Sequence, residues 1–403
     1  MTGIEITKIT NLQASEPTKY DAAQLATDQM LLNMGPQHPS MHGVLRLEVI
    51  TDGETIVDVV PHLGYLHRCF EKHAEALPFN QIIPYVDRMD YTTSMNNEHA
   101  YVMGVEKMLG ITNEIPKRVE YIRVLVAELN RLASHFIAVG SYGMDIGAYS
   151  PFLWMIRDRE HILRLLEWTC GARMLYNYIW IGGLFYDLPV GFEEKCSEFI
   201  KYLKPKLEET EQVLIQNKIF VQRTANVGVL PLELAVNYGC SGPVLRGSGL
   251  KFDLRKVDKY SVYPEIDFDI PIGKGEMGTV GDCWDRNYVR MQECRESIKI
   301  IEQCLEKLKK EHKRTIDFDP QEVVPKRIRV QPMEFYARAE NPKGELGFFF
   351  KTEGRGEQPF RCKARSSSFV HLSVLHEISK GALLADLIAI VGSLDFVMGE
   401  VDR

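Results

Sequence analysis

The chain has 403 residues, of which 45% are hydrophobic and 26% charged, and its formal net charge is −7. This composition is typical of globular proteins, and the length predicts two or three cores, or one large helical core with added sheet. The negative charge is spread along the chain and argues against nucleic acid as a partner.

Residues 1–28 are polar and without pattern, and we expect them to form a flexible arm. They contain no apolar stretch behind a basic start, so the sequence predicts neither a secretory signal nor a transit peptide. The most apolar stretch, 381–399, is interrupted by Asp386 and Asp395. Since no segment reaches the roughly 20 uncharged residues that a bilayer requires, membrane association is expected only through partners.

The N-terminal region, 29–62, is predicted to be a small antiparallel sheet. Apolar or alternating runs follow one another there, and the turn pair Asp52-Gly53 separates the last two. The strand candidates are 30–34, 44–50 and 54–60.

Helical spacing dominates residues 63–319, which we predict to be a central helical bundle. A Gly- and Pro-rich insertion at 228–281 interrupts it and is too long for a simple connector, so we expect it to be functional or to face a partner. The long helices are predicted at 116–142, 151–176, 193–217 and 284–312.

The C-terminal region, 320–403, is predicted to contain strands followed by an apolar helix and a tail. The whole chain therefore has an α+β pattern, with sheet at both ends of a helical bundle. The strand candidates are 327–330, 346–352 and 360–364.

Six short motifs occur in order along residues 30–403, and such an ordered set is far more specific than any one of them. They resemble the 49-kilodalton (D-type) subunit family of respiratory complex I, which shares its fold with the large subunit of nickel–iron hydrogenases. The motifs are Gly-Pro-Gln-His-Pro-Ser (35–40), Leu-His-Arg-Cys-Phe-Glu-Lys (66–72), Asp-Arg-Met-Asp-Tyr (87–91), Asp-Ile-Gly-Ala (145–148), Gly-Pro-Val-Leu-Arg-Gly-Ser-Gly (242–249) and Gly-Glu-Val-Asp-Arg (399–403).

Hydrogenases bind their metals through two C-x-x-C pairs. By resemblance, the corresponding positions in this chain are Asp90 and Thr93, and Val397 and Glu400. Because all four thiolates are missing, hydrogen activation is excluded and the former metal pocket is free to become an organic cavity. The eight cysteines form no C-x-x-C pair and are expected to be reduced thiols, so we predict no metal, iron–sulfur cluster or flavin in this chain.

The resemblance implies a quinone site. His38 and Tyr91 would donate hydrogen bonds to the quinone carbonyl oxygens, and Asp145 would orient His38. Phe396 and Val397 would line the cavity. A tyrosinate costs roughly 4 kcal/mol at neutral pH, since the ordinary tyrosine pKa is about 10, so electron arrival is expected to draw in a proton and start the signal that drives a distant pump.

Out of context these three residues have simpler interpretations. His38 could be a loop histidine, Tyr91 a core tyrosine and Asp145 a turn residue. The ordered motifs favour the functional interpretation. Two other patterns are interpreted as structural: His371 and His376 are not spaced for one helix face, and the glycines at 247 and 249 lack the strand and helix start of a nucleotide loop.

The family places Arg68 near the terminal 4Fe-4S cluster of a small partner subunit, where a cation would raise the cluster potential. Here Cys69 stands where glycine or alanine is usual, and His73 where an apolar residue is common. Leu175 replaces a histidine that many relatives have, and it cannot titrate. We therefore hypothesise a cluster of low, pH-independent potential, suited to menaquinone rather than ubiquinone.

The resemblance also implies the setting. The expected partners are the small iron–sulfur (B-type) subunit, the C-type subunit, the quinone-channel subunit of the membrane arm and an NADH-oxidising module. The expected location is the cytoplasmic face of the bacterial inner membrane. Two alternatives remain open: an equivalent subunit of a quinone or phenazine reductase fed by ferredoxin or a deazaflavin, and a non-catalytic scaffold subunit.

Overall fold

A computed structural model of the chain describes residues 29–36, 42–314, 328–354 and 356–403. The predicted arm at 1–28 lies outside the described residues. Within them the protein is α+β, as predicted, with an antiparallel sheet near each end and helices between.

The N-terminal sheet is antiparallel with the order β1-β2-β3. Its inner face is apolar, and Leu47, Val49, Ile56 and Val59 are at most 2% exposed. The burial of these branched side chains fixes the register, because a slip by one residue would turn them to solvent. The strands are β1 (Gln29–Met34), β2 (Arg46–Asp52) and β3 (Thr55–His62).

The helical core is built around one long helix, α4, which packs against α5, α11 and α14. Most of α4 is buried on every side, unlike an amphipathic surface helix. The helices up to the insertion are α1 (Phe70–Ala76), α2 (Phe79–Asp87), α3 (Ser94–Leu109), α4 (Lys117–Asp145), α5 (Tyr149–Cys170), α6 (Phe192–Thr210) and α7 (Lys218–Thr224). Those that follow are α8 (Leu232–Tyr238), α9 (Gly242–Gly247), α10 (Leu254–Val257), α11 (Cys283–Lys310), α12 (Ser367–Ser373), α13 (Leu375–Ser379), α14 (Leu384–Leu394) and α15 (Met398–Asp402).

Between α5 and α6 lies a two-stranded ribbon of β4 (Ile179–Trp180) and β5 (Gly183–Leu184). The predicted helix at 151–176 therefore ends early, at Cys170. Gly171 follows in the left-handed conformation, with φ of 81°, which is a common way for a helix to end.

The middle of the insertion at 228–281 is part of the core, while its expected functional or partner-facing role stays a prediction. Every residue of α9 is buried. Arg246 of α9 forms ion pairs with Glu293 of α11 and with Glu340, both at 2.7 Å. A buried arginine needs such partners, because an unpaired charge in the interior is strongly disfavoured.

The C-terminal sheet contains β6 (Met333–Asn341), β7 (Gly344–Thr352) and β8 (Arg361–Arg365), in that order and antiparallel. The strand predicted at 327–330 is wrong: residues 328–330 have no strand structure, and the strand begins after Pro332, which lacks the N–H group that a ladder requires. Asn341 pairs with Gly344, so Pro342 and Lys343 form a two-residue turn between β6 and β7.

Candidate functional site

The two segments that resemble hydrogenase metal motifs, 88–93 and 395–403, meet in the structure. A methyl group added to Gly399 would lie only 2.7 Å from the carbonyl oxygen of Met89, so the two backbones touch there. Arg68 joins both segments, because its guanidinium donates to the carbonyl oxygen of Arg88 and its backbone N–H donates to the carbonyl oxygen of Arg403. Gly399 is required at this position, because a side chain there would collide with the Met89 carbonyl oxygen.

The four positions aligned with thiolates are all buried. The Glu400 carboxylate accepts a hydrogen bond from Ser368. Burial, with the negative charge of Asp90, raises the pKa of Glu400 to about 7. Thr93 donates to Asn97 at 3.2 Å, and Val397 donates its N–H to Ser368 at 3.3 Å. Among the described residues, no group of three or more His, Cys, Asp or Glu side chains is arranged to hold a metal.

A lysine that the sequence did not single out lies between these segments. The Lys343 ammonium is 3% exposed and lies 3.1 Å from Asp90 and 3.9 Å from Asp395. It also donates to the hydroxyl groups of Thr92, at 2.9 Å, and Ser134, at 3.2 Å. Lysines in turns are common at protein surfaces, so the sequence gives no sign that Lys343 is buried. Its burial results from the packing of the β6–β7 hairpin into the core.

Tyr91 is half-buried and lies near Gly43. A methyl group added to Gly43 would lie 3.6 Å from the Tyr91 hydroxyl oxygen. Burial and the neighbouring Asp90 carboxylate raise the pKa of Tyr91, against the opposing effects of Lys343 and Arg68. The hydroxyl is therefore protonated at neutral pH and available as a hydrogen-bond donor.

A small cavity lies beside these residues, with a volume of about 30 Å³. Its walls include side chains from segment 88–93, from segment 395–403 and from α4. Among the described residues that line it are His42, Asp145, Lys343, Asp395, Phe396 and Val397. The cavity holds roughly one or two water molecules, whereas ligand pockets span roughly 300–1,000 Å³, so its walls must separate to admit any ligand with an organic ring.

The cavity brings some of the predicted site residues together. Asp145, Phe396 and Val397 share its wall, and burial raises the pKa of Asp145 to about 6. Tyr91 lies close by, at Gly43, while the ring of His42 contacts Phe396 with centroids 4.9 Å apart. His38 lies outside the described residues, so the contact of Asp145 with His38 stays a prediction.

The two residues expected near a partner's cluster are linked through the end of α2. Arg68 binds the carbonyl oxygen of Arg88, and the preceding carboxylate, Asp87, accepts the backbone N–H of Asn177 at 2.9 Å. Leu175 is half-buried and lies two residues before Asn177. Residues 87–88 thus form hydrogen bonds both with Arg68 and with the loop that contains Leu175.

Two buried carboxyl groups, Asp87 and Glu98, share this region. Glu98 accepts the N–H groups of Tyr178, at 3.0 Å, and Ile179, at 2.6 Å. Burial and Glu98 raise the pKa of Asp87, while burial raises that of Glu98 to about 7. Two adjacent carboxylates cannot both be charged in the interior, so the pair holds a shared proton.

The shared proton predicts how stability depends on pH. The folded chain retains this proton between pH 4.5, the ordinary pKa of a glutamate, and about pH 7, where unfolded carboxyl groups have lost theirs. The free energy of unfolding should therefore fall as pH rises through that range. In Glu98→Gln the amide can still accept both N–H groups and can donate to Asp87. We expect a shallower slope and a gain on the order of 1–3 kcal/mol at pH 8.

Urea unfolding of the purified chain at several pH values would measure this slope. Glu233→Gln, at an exposed position on α8, is the matched control and should leave the slope unchanged. An unchanged slope in Glu98→Gln would contradict the shared proton.

Cys69 has a backbone conformation that suits glycine. Its φ is 55° and its ψ 37°, in the left-handed region, immediately before α1. A residue with a Cβ atom is strained there by roughly 1–2 kcal/mol. We expect Cys69→Gly to raise the free energy of unfolding by about 1 kcal/mol, after the entropy gained by the unfolded chain is subtracted. Cys69→Ala removes the same thiol but keeps the Cβ atom, and should give no gain. Thermal unfolding of both variants measures the difference, and equal stability would contradict the strain.

The chain is similar to known proteins over nearly its whole length. The family model described as "Respiratory-chain NADH dehydrogenase, 49 Kd subunit" matches residues 145–403. A relative from Cytophaga hutchinsonii, named as a D-type subunit of NADH-quinone oxidoreductase, is 71% identical over 392 residues, covering 97% of this chain and 100% of the relative.

Two further relatives carry the same name. That of Amoebophilus asiaticus is 66% identical over 98% of each chain. That of Chlorobaculum tepidum is 58% identical over 94% of this chain and 93% of the relative. Among the helices that the structure describes, none is both long and apolar enough to cross a bilayer. The chain therefore belongs to the family of 49-kilodalton, or D-type, subunits of the respiratory-chain NADH dehydrogenase.

Proposed function

We propose that this chain, as a component of an NADH:quinone oxidoreductase, forms the site at which quinone is reduced, next to the terminal iron–sulfur cluster of the small partner subunit. The observation that carries the proposal is the meeting of segments 88–93 and 395–403 beside a cavity that holds no cysteine ligand among its described walls. The names of the relatives favour NADH as the electron source over ferredoxin or a deazaflavin.

Quinone reduction takes two electrons and two protons, and the chain's own residues would deliver the protons. Tyr91 would donate to one quinone oxygen and His38, by resemblance to the family, to the other. Because burial raises the pKa of Tyr91 above its ordinary value of about 10, a tyrosinate at this position costs more than roughly 4 kcal/mol at neutral pH. Proton return to Tyr91 would therefore follow promptly.

Asp145 is suited to take part in this return. Its pKa of about 6, raised by burial, lies close to neutral pH, so a nearby change of charge can shift its protonation. In the proposed sequence Asp145 orients His38 and exchanges a proton with it when electrons arrive. This charge movement would be the start of the signal to the membrane arm, where the pumping subunits lie.

The electrons would come from the 4Fe-4S cluster of the small iron–sulfur subunit. Arg68 is exposed at the surface next to the cavity segments, which suits a residue that faces the partner's cluster. Further proposed partners are the C-type subunit, the quinone-channel subunit of the membrane arm and the NADH-oxidising module. We place the assembled subunit on the cytoplasmic face of the inner membrane.

Leu175 bears on the choice of quinone. It occupies the half-buried loop held by Asp87, and its side chain cannot carry a proton. We expect the potential of the adjacent cluster to be low and to change by less than about 20 mV per pH unit, against about 59 mV for a fully coupled proton. Such a potential favours menaquinone. An EPR redox titration of the assembled complex between pH 6 and 8 measures the slope. Leu175→His is the matched variant and should introduce a pH slope, whereas a steep slope in the unaltered complex would defeat the idea.

Tyr91→Phe tests the proposed function itself. Loss of the hydroxyl removes a proton donor, and general acid catalysis by a positioned side chain contributes about 10²–10⁴-fold, so we expect NADH:quinone reductase activity to fall at least tenfold with normal assembly. Tyr288→Phe, at a half-buried tyrosine stacked on Trp284, is the matched control and should keep its activity. Unchanged activity in Tyr91→Phe would support a scaffold subunit instead.

A further inference from the structure

Lys343 is the buried cation of this cavity, and its charge state is set by its neighbours. Burial by itself lowers the pKa of a lysine, but Asp395, Asp90 and Glu400 outweigh it, and the pKa of Lys343 is raised above its ordinary value. The group is therefore an ammonium ion at every pH of physiological interest. Its distances of 3.1 Å to Asp90 and 2.9 Å to Thr92 leave no room for a shift of the charge without loss of a contact.

The backbone holds Lys343 firmly in place. Asn341, two residues earlier, donates from its side chain to Asn97 at 2.6 Å. Gly344, the next residue, has φ of 137°, and an added Cβ atom would lie 2.6 Å from the Ser241 hydroxyl oxygen, so α9 packs directly against the turn. The turn therefore holds the Lys343 ammonium at a fixed position in the cavity wall. A charge that is already in place costs no reorganisation when a reaction occurs.

The charges facing Tyr91 give Lys343 a specific effect. Burial and Asp90 oppose a negative charge on the tyrosine, whereas Lys343 and Arg68 favour one. Of these two cations Lys343 has the larger effect on the tyrosine, and it is buried, so its charge acts through a medium of low dielectric constant. The remaining charges of the cluster are Asp395, Glu400 and Arg290, which lies 3.7 Å from Asp395.

We propose that the Lys343 ammonium is the positive charge of the cavity in place of a metal ion, and that it stabilises the tyrosinate left when Tyr91 gives its proton to the quinone. The inference rests on the proposed function. In the balanced step, an iron–sulfur reductant supplies two electrons, one at a time, the Tyr91 O–H bond breaks to supply one proton, and the donor proposed at the other quinone oxygen supplies the second. Two O–H bonds form on the quinol, and two protons taken up from solvent then restore Tyr91 and that donor. Lys343 acts through Tyr91 and is a positioning residue.

The test uses the assembled complex in membrane vesicles, with NADH and a short-chain quinone. We expect Lys343→Met to lower kcat at least tenfold and to change KM less than twofold, because the charge is needed in the proton transfer and not for binding. Lys343→Arg keeps the charge and should retain at least a third of kcat. Lys256→Met, at a half-buried lysine whose ammonium lies 3.9 Å from the centre of the Phe268 ring, is the control and should be unaffected.

Two double variants separate the proposal from a structural role. In the Tyr91→Phe background, Lys343→Met should cause no further loss, since the group through which it acts is gone. Asp395→Asn, combined with Lys343→Met, removes one of the two carboxylates paired with the ammonium, and so lowers the unbalanced negative charge; it should restore assembly but not kcat. Asparagine suits this position, whose φ is 52°.

Three results would overturn the proposal: normal kcat in Lys343→Met, a full additional loss in the Tyr91→Phe background, or recovery of kcat with Asp395→Asn. If Lys343→Met alone fails to assemble, the Arg variant and the Asp395→Asn double variant decide the matter. The failures are distinguishable, because normal activity in Tyr91→Phe overturns the proposed function, whereas these three results arise with Tyr91 shown to be essential.

Discussion

The ion pair between Lys343 and Asp90 joins parts of the chain that are far apart in sequence. Lys343 comes from the turn of the C-terminal sheet and Asp90 from the segment between α2 and α3. The same ammonium reaches Ser134 of α4 and Asp395 after α14. Removing the charge would leave the buried Asp90 carboxylate without its ion pair, and the cavity, the C-terminal sheet and the long central helix all contact this ammonium.

The charged core extends from this pair into the helical bundle. Glu340, three residues before Lys343, pairs with Arg246, and Arg246 pairs with Glu293, which binds His135 at 3.0 Å. Apolar packing could stabilise a bundle equally well. Charges that are satisfied only in one arrangement, however, fix the relative positions of α4, α9, α11 and β6, and so fix the walls of the cavity.

The absence of thiolates at the aligned positions has a physical consequence beyond the loss of a metal. Four cysteine ligands would provide negative charge for a cation, and here Asp90 and Glu400 still provide carboxyl groups at two of those positions. A lysine ammonium balances Asp90 and Asp395, while Glu400, with its pKa of about 7, can carry a proton. Carboxyl and ammonium groups thus balance the charge of the pocket among themselves, and Glu400 can exchange a proton, which suits the quinone chemistry proposed for it.

The fold class and the family follow from the amino-acid sequence alone, because helical periodicity, alternating strands and ordered motifs are local features. Periodicity predicted α4 and α11 nearly to their ends, and the motifs selected Tyr91, Asp145 and the four aligned thiolate positions as candidates for the site. Strand β6 was not predicted, because residues 333–341 have a mixed polar pattern. Which of their side chains are buried depends on the face of the strand that packs against α3.

The surroundings of the site, in contrast, are visible only in the folded chain. Lys343 lies between a proline and a glycine in a turn, and Asp87 and Glu98 lie eleven residues apart, so nothing in their local pattern reveals burial or pairing. The burial of α9 within the insertion likewise follows from an ion pair across 47 residues. Long-range contacts set the dielectric and the charges around a side chain, and these decide whether a lysine or a carboxyl group is a solvated surface group or part of a functional cavity.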